Sequence, residues 1–202
     1  MSEQPKQPCG RVSYLGPQGS YSSLAAKALA PDACGMPCGS FYAAADAVER
    51  GEADCAVLPV ENTLQGAVTQ NLDLLYASAD LFAVREYLLK IEHRLIARAG
   101  TELSQVRRIF SHQQAILQCG KFLSRELPQA ELIYTESTAE SLSHLEREGD
   151  TGIVGSHVRA EGFAFLGGNI ADEQKNFTHF LLVKKGAAAL PEHSSFVYFA
   201  AS

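Results

Sequence analysis

The sequence predicts an α/β fold arranged as two lobes around a cleft, and three observations carry that prediction. Five times a short apolar run, the kind that makes a buried strand, stops at a cluster of Gly, Ser, Thr, Asn or Gln and then opens a helical pattern. The stretch Leu81 to Ala97 is rich in β-formers and longer than a typical strand of about 5 to 6 residues, as expected of a strand that leaves one sheet and enters a second. From Ile109 the strand-helix alternation starts afresh. A single doubly wound sheet is the competing architecture.

Taken in order, strand Val12 to Leu15 leads to a helix over about Ser22 to Leu29, with Ala25, Ala26, Ala28 and Leu29 inward and Pro31 as its stop. A loop containing Cys34 to Gly39 precedes the helix Phe41 to Arg50, which Gly51 closes before the strand Cys55 to Val60. Gln65 to Tyr76 reads as an amphipathic helix. Phe82 to Leu89 and then Ile91 to Ile96 form the first crossover. The second set runs strand Ile109-Phe110, helix Gln114 to Leu127, strand Leu132 to Tyr134, helix Ser137 to Glu148, strand Gly152 to Val154, helix Ser156 to Glu161 and strand Phe163 to Leu166. Phe180 to Lys184 is the second candidate for crossing back. The first lobe is expected over about 11–87 plus this last strand, the second over about 88–179.

Composition narrows the function classes. With 202 residues, 46% of them hydrophobic and 20% charged, the chain can bury a core in one domain or two small lobes. A net charge of −6 opposes binding to a phosphate backbone, which selects basic faces. No apolar run approaches the roughly 20 residues that span a bilayer, and the polar start Met1 to Gly10 has no signal core, so no membrane partner and a cytoplasmic location are expected. Five scattered cysteines (Cys9, Cys34, Cys38, Cys55, Cys119) do not describe a disulfide framework. Cys34 and Cys38 lack a second Cys/His pair to make a metal site.

The five polar turns are Gly16-Pro17-Gln18-Gly19-Ser20-Tyr21-Ser22, Glu61-Asn62-Thr63, Ser111-His112-Gln113-Gln114, Thr135-Glu136-Ser137-Thr138 and Gly155-Ser156. Each sits where a parallel strand hands over to a helix N-terminus. Ligands bind there in open α/β sheets, and the free N–H groups suit a small, hydroxylated anion.

These strings, with Val57-Leu58-Pro59-Val60 before the second, Gln118-Cys119 after the third, and Asn176-Phe177-Thr178-His179-Phe180 near the end, resemble in order and spacing the prephenate dehydratase catalytic domain, most of all that of bifunctional chorismate mutase/prephenate dehydratases. The resemblance covers residues 11–186. It implies a two-lobed fold like the type II periplasmic binding proteins, with an inter-lobe cleft, and conversion of prephenate to phenylpyruvate, water and carbon dioxide in phenylalanine synthesis, without cofactor or metal. It also implies Thr178 as the catalytic hydroxyl. Residues Ser20, Glu61, Asn62, Thr63, Ser111, Gln118, Ser137, Thr138, Gly155, Ser156, Asn176, His179 and Phe180 are expected to line the substrate site. The family pattern reads Thr-Arg-Phe where this chain has Thr178-His179-Phe180. No chorismate mutase helices precede residue 11, and residues 187–202 read as a linker and the start of a truncated ACT-type regulatory segment, with Ser194 to Ala200 as its first strand.

Each candidate also has a structural reading. Thr178 can be a strand hydroxyl bonded to backbone, Asn62 a helix cap, Glu61 a surface carboxylate, and Ser111, Thr135, Ser137 and Thr138 plain caps. Gln118 lies one or two helical turns past Ser111, where an inward polar side chain is costly unless paired. His112 and His179 suit acid-base work or simple hydrogen bonding, and period-2 alternation sets Thr178 and His179 on opposite strand faces. Three functional alternatives remain: an arogenate dehydratase, a prephenate decarboxylase that does not aromatise, and a small-anion binding module. Oligomeric state is left open, a homodimer being one option.

Overall fold

The computed structural model describes residues 10–78 and 80–186. Its elements run β1 (Arg11–Leu15), α1 (Tyr21–Leu29), β2 (Cys34–Cys38), α2 (Phe41–Glu49), β3 (Cys55–Asn62), β4 (Gly66–Ala67), α3 (Thr69–Ala77), β5 (Leu81–Lys90), β6 (His93–Arg98), β7 (Arg108–Ser111), α4 (Gln113–Leu117), α5 (Gly120–Glu126), β8 (Glu131–Tyr134), β9 (Asp150–Gly155), β10 (Phe163–Phe165) and β11 (Phe177–Lys185). They make two sheets, which sets aside the single doubly wound alternative. The six-stranded sheet has the order β2-β1-β3-β11-β5 with β4 beside β3, and the five-stranded sheet the order β10-β6-β9-β7-β8. In the first, β1, β2 and β3 are parallel and β11 is antiparallel to β3 and β5. In the second, β7 is parallel to β8 and β9, and β6 is antiparallel to β9 and β10.

Alternation along the strands divides the cores. Val12, Tyr14, Val57, Phe180 and Leu182 face Ala25, Ala26 and Leu29 of α1. Ala56, Leu58, Val60, Leu181 and Val183 face Ala44, Ala45 and Val48 of α2. A central strand covered on both faces reads as a continuous apolar run, and β3 is buried everywhere except Glu61. The second lobe repeats the plan, with Leu95, Ile109 and Ile153 against Ile116, Cys119 and Leu123 on one face and Ile96, Phe110 and Val154 against Leu145 and Val158 on the other.

The long β-rich stretch does cross, with β5 in the first sheet and β6 in the second. The second crossover differs from expectation: β11 lies wholly in the first sheet, and the chain before Phe177 makes the return. That return is pinned by backbone bonds from Ile170 N–H to the His93 carbonyl, Asp172 N–H to the Gln118 carbonyl and Ile91 N–H to the Asn176 carbonyl, each 2.8 Å.

Other departures have local causes. The helix expected over Gln114 to Leu127 is two, because the Asp172 carboxylate accepts from Lys121 N–H at the start of α5, which breaks the run at Gln118-Cys119. Over Ser137 to Glu148 only a 3-10 turn forms at Glu140–His144. Ser141 and Ser143 hydroxyls there bond back to the Thr138 and Glu140 carbonyls, competing with a regular helix. Ser156 to Glu161 is not helical; the Arg159 guanidinium takes the Ser156 and Val158 carbonyls. Cys34–Cys38, expected as loop, pairs in parallel with β1. Cys34, Cys38 and Cys119 carry free thiols and Cys55 is disulfide-bonded. Residues 187–202, with the expected ACT-like strand, lie outside the described residues. No described helix is long and apolar enough to cross a membrane.

An ion pair ties β7 to β9. The Arg108 guanidinium donates Nε–H and Nη2–H to Asp150 at 2.8 Å each, and the carboxylate also accepts from Arg147 N–H at 2.8 Å. The Asp150 side chain is 1% exposed and that of Arg108 26%. Asp150→Ala is expected to lower unfolding free energy by about 3 kcal/mol, since it leaves a half-buried guanidinium unpaired. Urea unfolding with an unchanged midpoint would refute this role.

Candidate active site

The end of β3 and the start of β11 lie side by side, with Asn62 opposite Thr178. Asn62 is 8% exposed. Its Oδ1 accepts from the N–H groups of Leu64 and Gln65 at 2.9 and 3.2 Å, so the turn after β3 fixes which way the carboxamide points. Its Nδ2 therefore faces β11, donating to Thr178 Oγ1 at 2.9 Å, Asn176 Oδ1 at 2.8 Å and the Phe177 carbonyl at 3.1 Å. Thr178 Oγ1 thus acts as an acceptor, and none of the described residues takes its proton. Thr63 stitches the same corner: its hydroxyl donates to the Lys175 carbonyl at 3.1 Å and accepts from Phe177 N–H at 2.9 Å.

The network continues into the second lobe. With Oδ1 occupied as acceptor, Asn176 turns its Nδ2 to Gln118 Oε1 at 3.3 Å; Asn176 itself is 1% exposed. Gln118 closes α4, at the break that Asp172 creates. Its Oε1 also meets His93 Nε2 at 2.8 Å, so His93 is the donor and carries its proton on Nε2. A cavity of about 210 Å³ opens beside Gln118 and Asn176, walled by Leu64, Leu117 and Lys121. Sequence reasoning missed His93. Its signal was the alternation His93, Leu95, Ala97, which turns an imidazole toward the core side of a buried strand.

A second cluster joins the lobes. Gly19 adopts a positive φ of 88°, open to glycine at no steric cost, and releases the chain into α1. Ser20 caps that helix, accepting from Ser23 N–H and donating to the Leu15 carbonyl. The Tyr21 hydroxyl donates to the Glu92 carbonyl at 2.6 Å and lies 3.4 Å from His93 Nδ1. The imidazole of His157 bonds through Nε2 to the Gly19 carbonyl at 3.0 Å and packs edge-on to Tyr21. A methyl at Gly155 would stand 2.5 Å from His157 and 3.1 Å from Tyr21, so glycine is what lets the two rings meet. Ser156 N–H reaches the Glu92 carbonyl at 3.2 Å. Gly19 in turn faces Ala139, next to Ser137 and Thr138.

The expected lining residues therefore separate. Asn62, Thr63, Gln118, Asn176 and Thr178 form one network, while Ser20, Gly155 and Ser156 surround the contact between lobes. Ser111 is fully buried and donates to the Ile153 carbonyl at 2.7 Å, which makes it a tie between strands. The Ser137 hydroxyl accepts from Glu140 N–H at 3.1 Å, as a cap does. Phe180 is corrected to a core residue: it is 2% exposed and packs with the α1-facing core. Glu61 and His179 are cross-strand neighbours on the face opposite Thr178, with Glu61 exposed and His179 Nε2 3.0 Å from the Glu86 carboxylate.

A family model described as prephenate dehydratase matches residues 12–188. A bifunctional chorismate mutase/prephenate dehydratase of Enterobacter agglomerans is 34% identical over 193 residues, covering 91% of this chain and 49% of that protein. Arogenate dehydratase 2 of Petunia hybrida is 36% identical over 177 residues, covering 87% and 45%. The chain thus spans about half the length of these relatives. Among solved structures, a prephenate dehydratase from Arthrobacter aurescens in complex with L-Phe superposes with a TM-score of 0.81 at 34% identity, covering 91% of this chain and 63% of that one.

Both imidazoles at the lobe junction are held neutral. Burial pushes His93 and His157 below the ordinary 6.5, outweighing the bonds to Gln118 and Gly19 that pull upward. His157 Nδ1 is buried with no partner among the described residues, so a proton there would go unsatisfied. Below about pH 6.5 the unfolded chain binds more protons than the folded one, and stability falls with pH. Unfolding free energy measured from pH 7 to pH 5 is expected to decline, and to decline less in His157→Gln. An identical slope in that variant would contradict the assignment.

Proposed function

The chain belongs to the prephenate dehydratase family, and we propose that its cleft removes water and carbon dioxide from prephenate to leave phenylpyruvate. Prephenate carries two carboxylates on a non-aromatic ring, with a hydroxyl opposite the carboxylate that departs. Breaking the bond to that carboxylate sends its electron pair into the ring, which aromatises by expelling the hydroxyl. A donor must meet the departing oxygen so that it leaves as water.

The observation that carries the reading is the fixed bond from Asn62 Nδ2 to Thr178 Oγ1. A hydroxyl that accepts from an amide is polarised, and its own proton is left for a ligand. Threonine is too weak an acid to surrender that proton by itself, so Thr178 acts as an oriented donor at the leaving oxygen with water completing the transfer. A pre-oriented donor of this kind contributes about 2.7 to 4 kcal/mol to the transition state. Gln118 supplies an amide group for a carboxylate at the cavity it lines, and Asn176 holds that amide against Asn62. The name of the Petunia relative makes arogenate, in which an amine replaces the keto group, the second substrate to assay.

Thr178→Ala is expected to lower kcat for prephenate at least about a hundredfold, the scale of lost acid catalysis, while Thr178→Ser retains most of it. Near wild-type turnover in the alanine variant would remove Thr178 from the chemistry. His179, on the strand face opposite Thr178 with Nε2 3.0 Å from the Glu86 carboxylate, is expected to matter little: His179→Ala should change kcat/KM by less than about fivefold, the scale of one hydrogen bond of about 1 kcal/mol. A larger loss would put its side chain in the cleft.

A further inference from the structure

We propose that His93 is the positioning residue of the site: by donating Nε2–H to Gln118 Oε1, it holds the Gln118 amide with its –NH₂ turned outward, ready to donate to a substrate carboxylate. The inference rests on the dehydratase reading and adds a residue to it.

The argument follows the direction of the hydrogen bonds. Asn62 Oδ1 is committed to two backbone N–H groups, so Asn62 donates to Asn176 Oδ1, and Asn176 must then donate to Gln118 Oε1. Gln118 Oε1 consequently accepts twice, from Asn176 at 3.3 Å and from His93 at 2.8 Å. The shorter bond is the one from the imidazole. None of the described residues accepts from the Gln118 –NH₂, and Gln118 lines the cavity of about 210 Å³. An amide whose oxygen is doubly held presents two N–H donors in a set direction, which is what binding a planar carboxylate requires. Without His93, a single long bond opposes a flip that would turn the Gln118 oxygen, an acceptor, toward an anion.

The imidazole is itself immobilised. It is 3% exposed, its backbone N–H donates to Asn169 Oδ1 at 3.0 Å, and Tyr21 closes over its other nitrogen at 3.4 Å. A group so enclosed does not reach the substrate, so its influence passes through Gln118. It also couples the two lobes, because Tyr21 belongs to α1 and Gln118 caps the end of α4.

The test is a double-mutant cycle with prephenate. His93→Leu is expected to raise KM at least about tenfold, the worth of one hydrogen bond to a charged group, with a smaller change in kcat. His93→Gln, whose amide N–H can occupy the place of Nε2–H, should recover most of that loss. Gln118→Leu should raise KM in the wild-type background and add little to His93→Leu. Additive effects of the two leucine substitutions, or an unchanged KM in His93→Leu or in His93→Gln without recovery of any loss, would overturn the inference while leaving the dehydratase reading standing. Absence of turnover in the wild type would overturn that reading and the inference together. If His93→Leu fails to fold, the decision falls to His93→Gln with and without Gln118→Leu: strong coupling supports the inference and additivity refutes it.

Discussion

The two backbone N–H groups that hold Asn62 Oδ1 set the direction of everything else at the site. A carboxamide free to flip would offer Thr178 either a donor or an acceptor. One locked by its own turn offers only the donor, and the same choice propagates through Asn176 to Gln118. Thr178 is thereby left with a proton to give, and the far end of the network with an –NH₂. The polarity of the pocket is thus determined by the local conformation of residues 62–65, before any ligand arrives.

The fold serves that arrangement by bringing distant segments to one corner. β3 and β11 are separated by more than a hundred residues yet run as antiparallel neighbours, and the return of the chain from the second lobe delivers Asn176 beside Gln118. The break between α4 and α5 is part of the same construction. Asp172 comes from the return segment, accepts at the start of α5 and gives its own N–H to the Gln118 carbonyl, so one residue both interrupts the helix and fixes the backbone from which Gln118 projects. Contact between the lobes is equally specific. Tyr21 and His157 meet only because Gly155 carries no side chain.

Features governed by local pattern were legible in the sequence. The handovers from β1 to α1 and from β7 to α4 and the crossing stretch Leu81 to Ala97 follow from alternation, and Gln118 as an inward polar group from the cost of burying an unpaired amide, while Asn62 and Asn176 were marked by the strings shared with the family. Features decided by contacts between distant segments were not. The split of the α4-α5 region depends on Asp172, roughly fifty positions away, and the loss of the helix after Thr138 depends on serine hydroxyls choosing backbone carbonyls. Phe180 sits in a motif string, but its side chain follows β11 alternation into the core. His93 was overlooked because an imidazole in a β-rich run carries no motif, although the alternation with Leu95 shows which way it points.

The measurement that bears most directly on this account is the product balance when the wild-type protein meets prephenate. Carbon dioxide and phenylpyruvate, the latter followed by its absorbance in alkali, should appear in equal amounts, because a Thr178 hydroxyl that meets the departing oxygen, as proposed, would couple loss of the carboxylate to loss of water. Carbon dioxide without phenylpyruvate would mean a decarboxylase that leaves the ring non-aromatic. Saturable binding with neither product would mean a small-anion receptor, and either result would contradict the role given to Thr178.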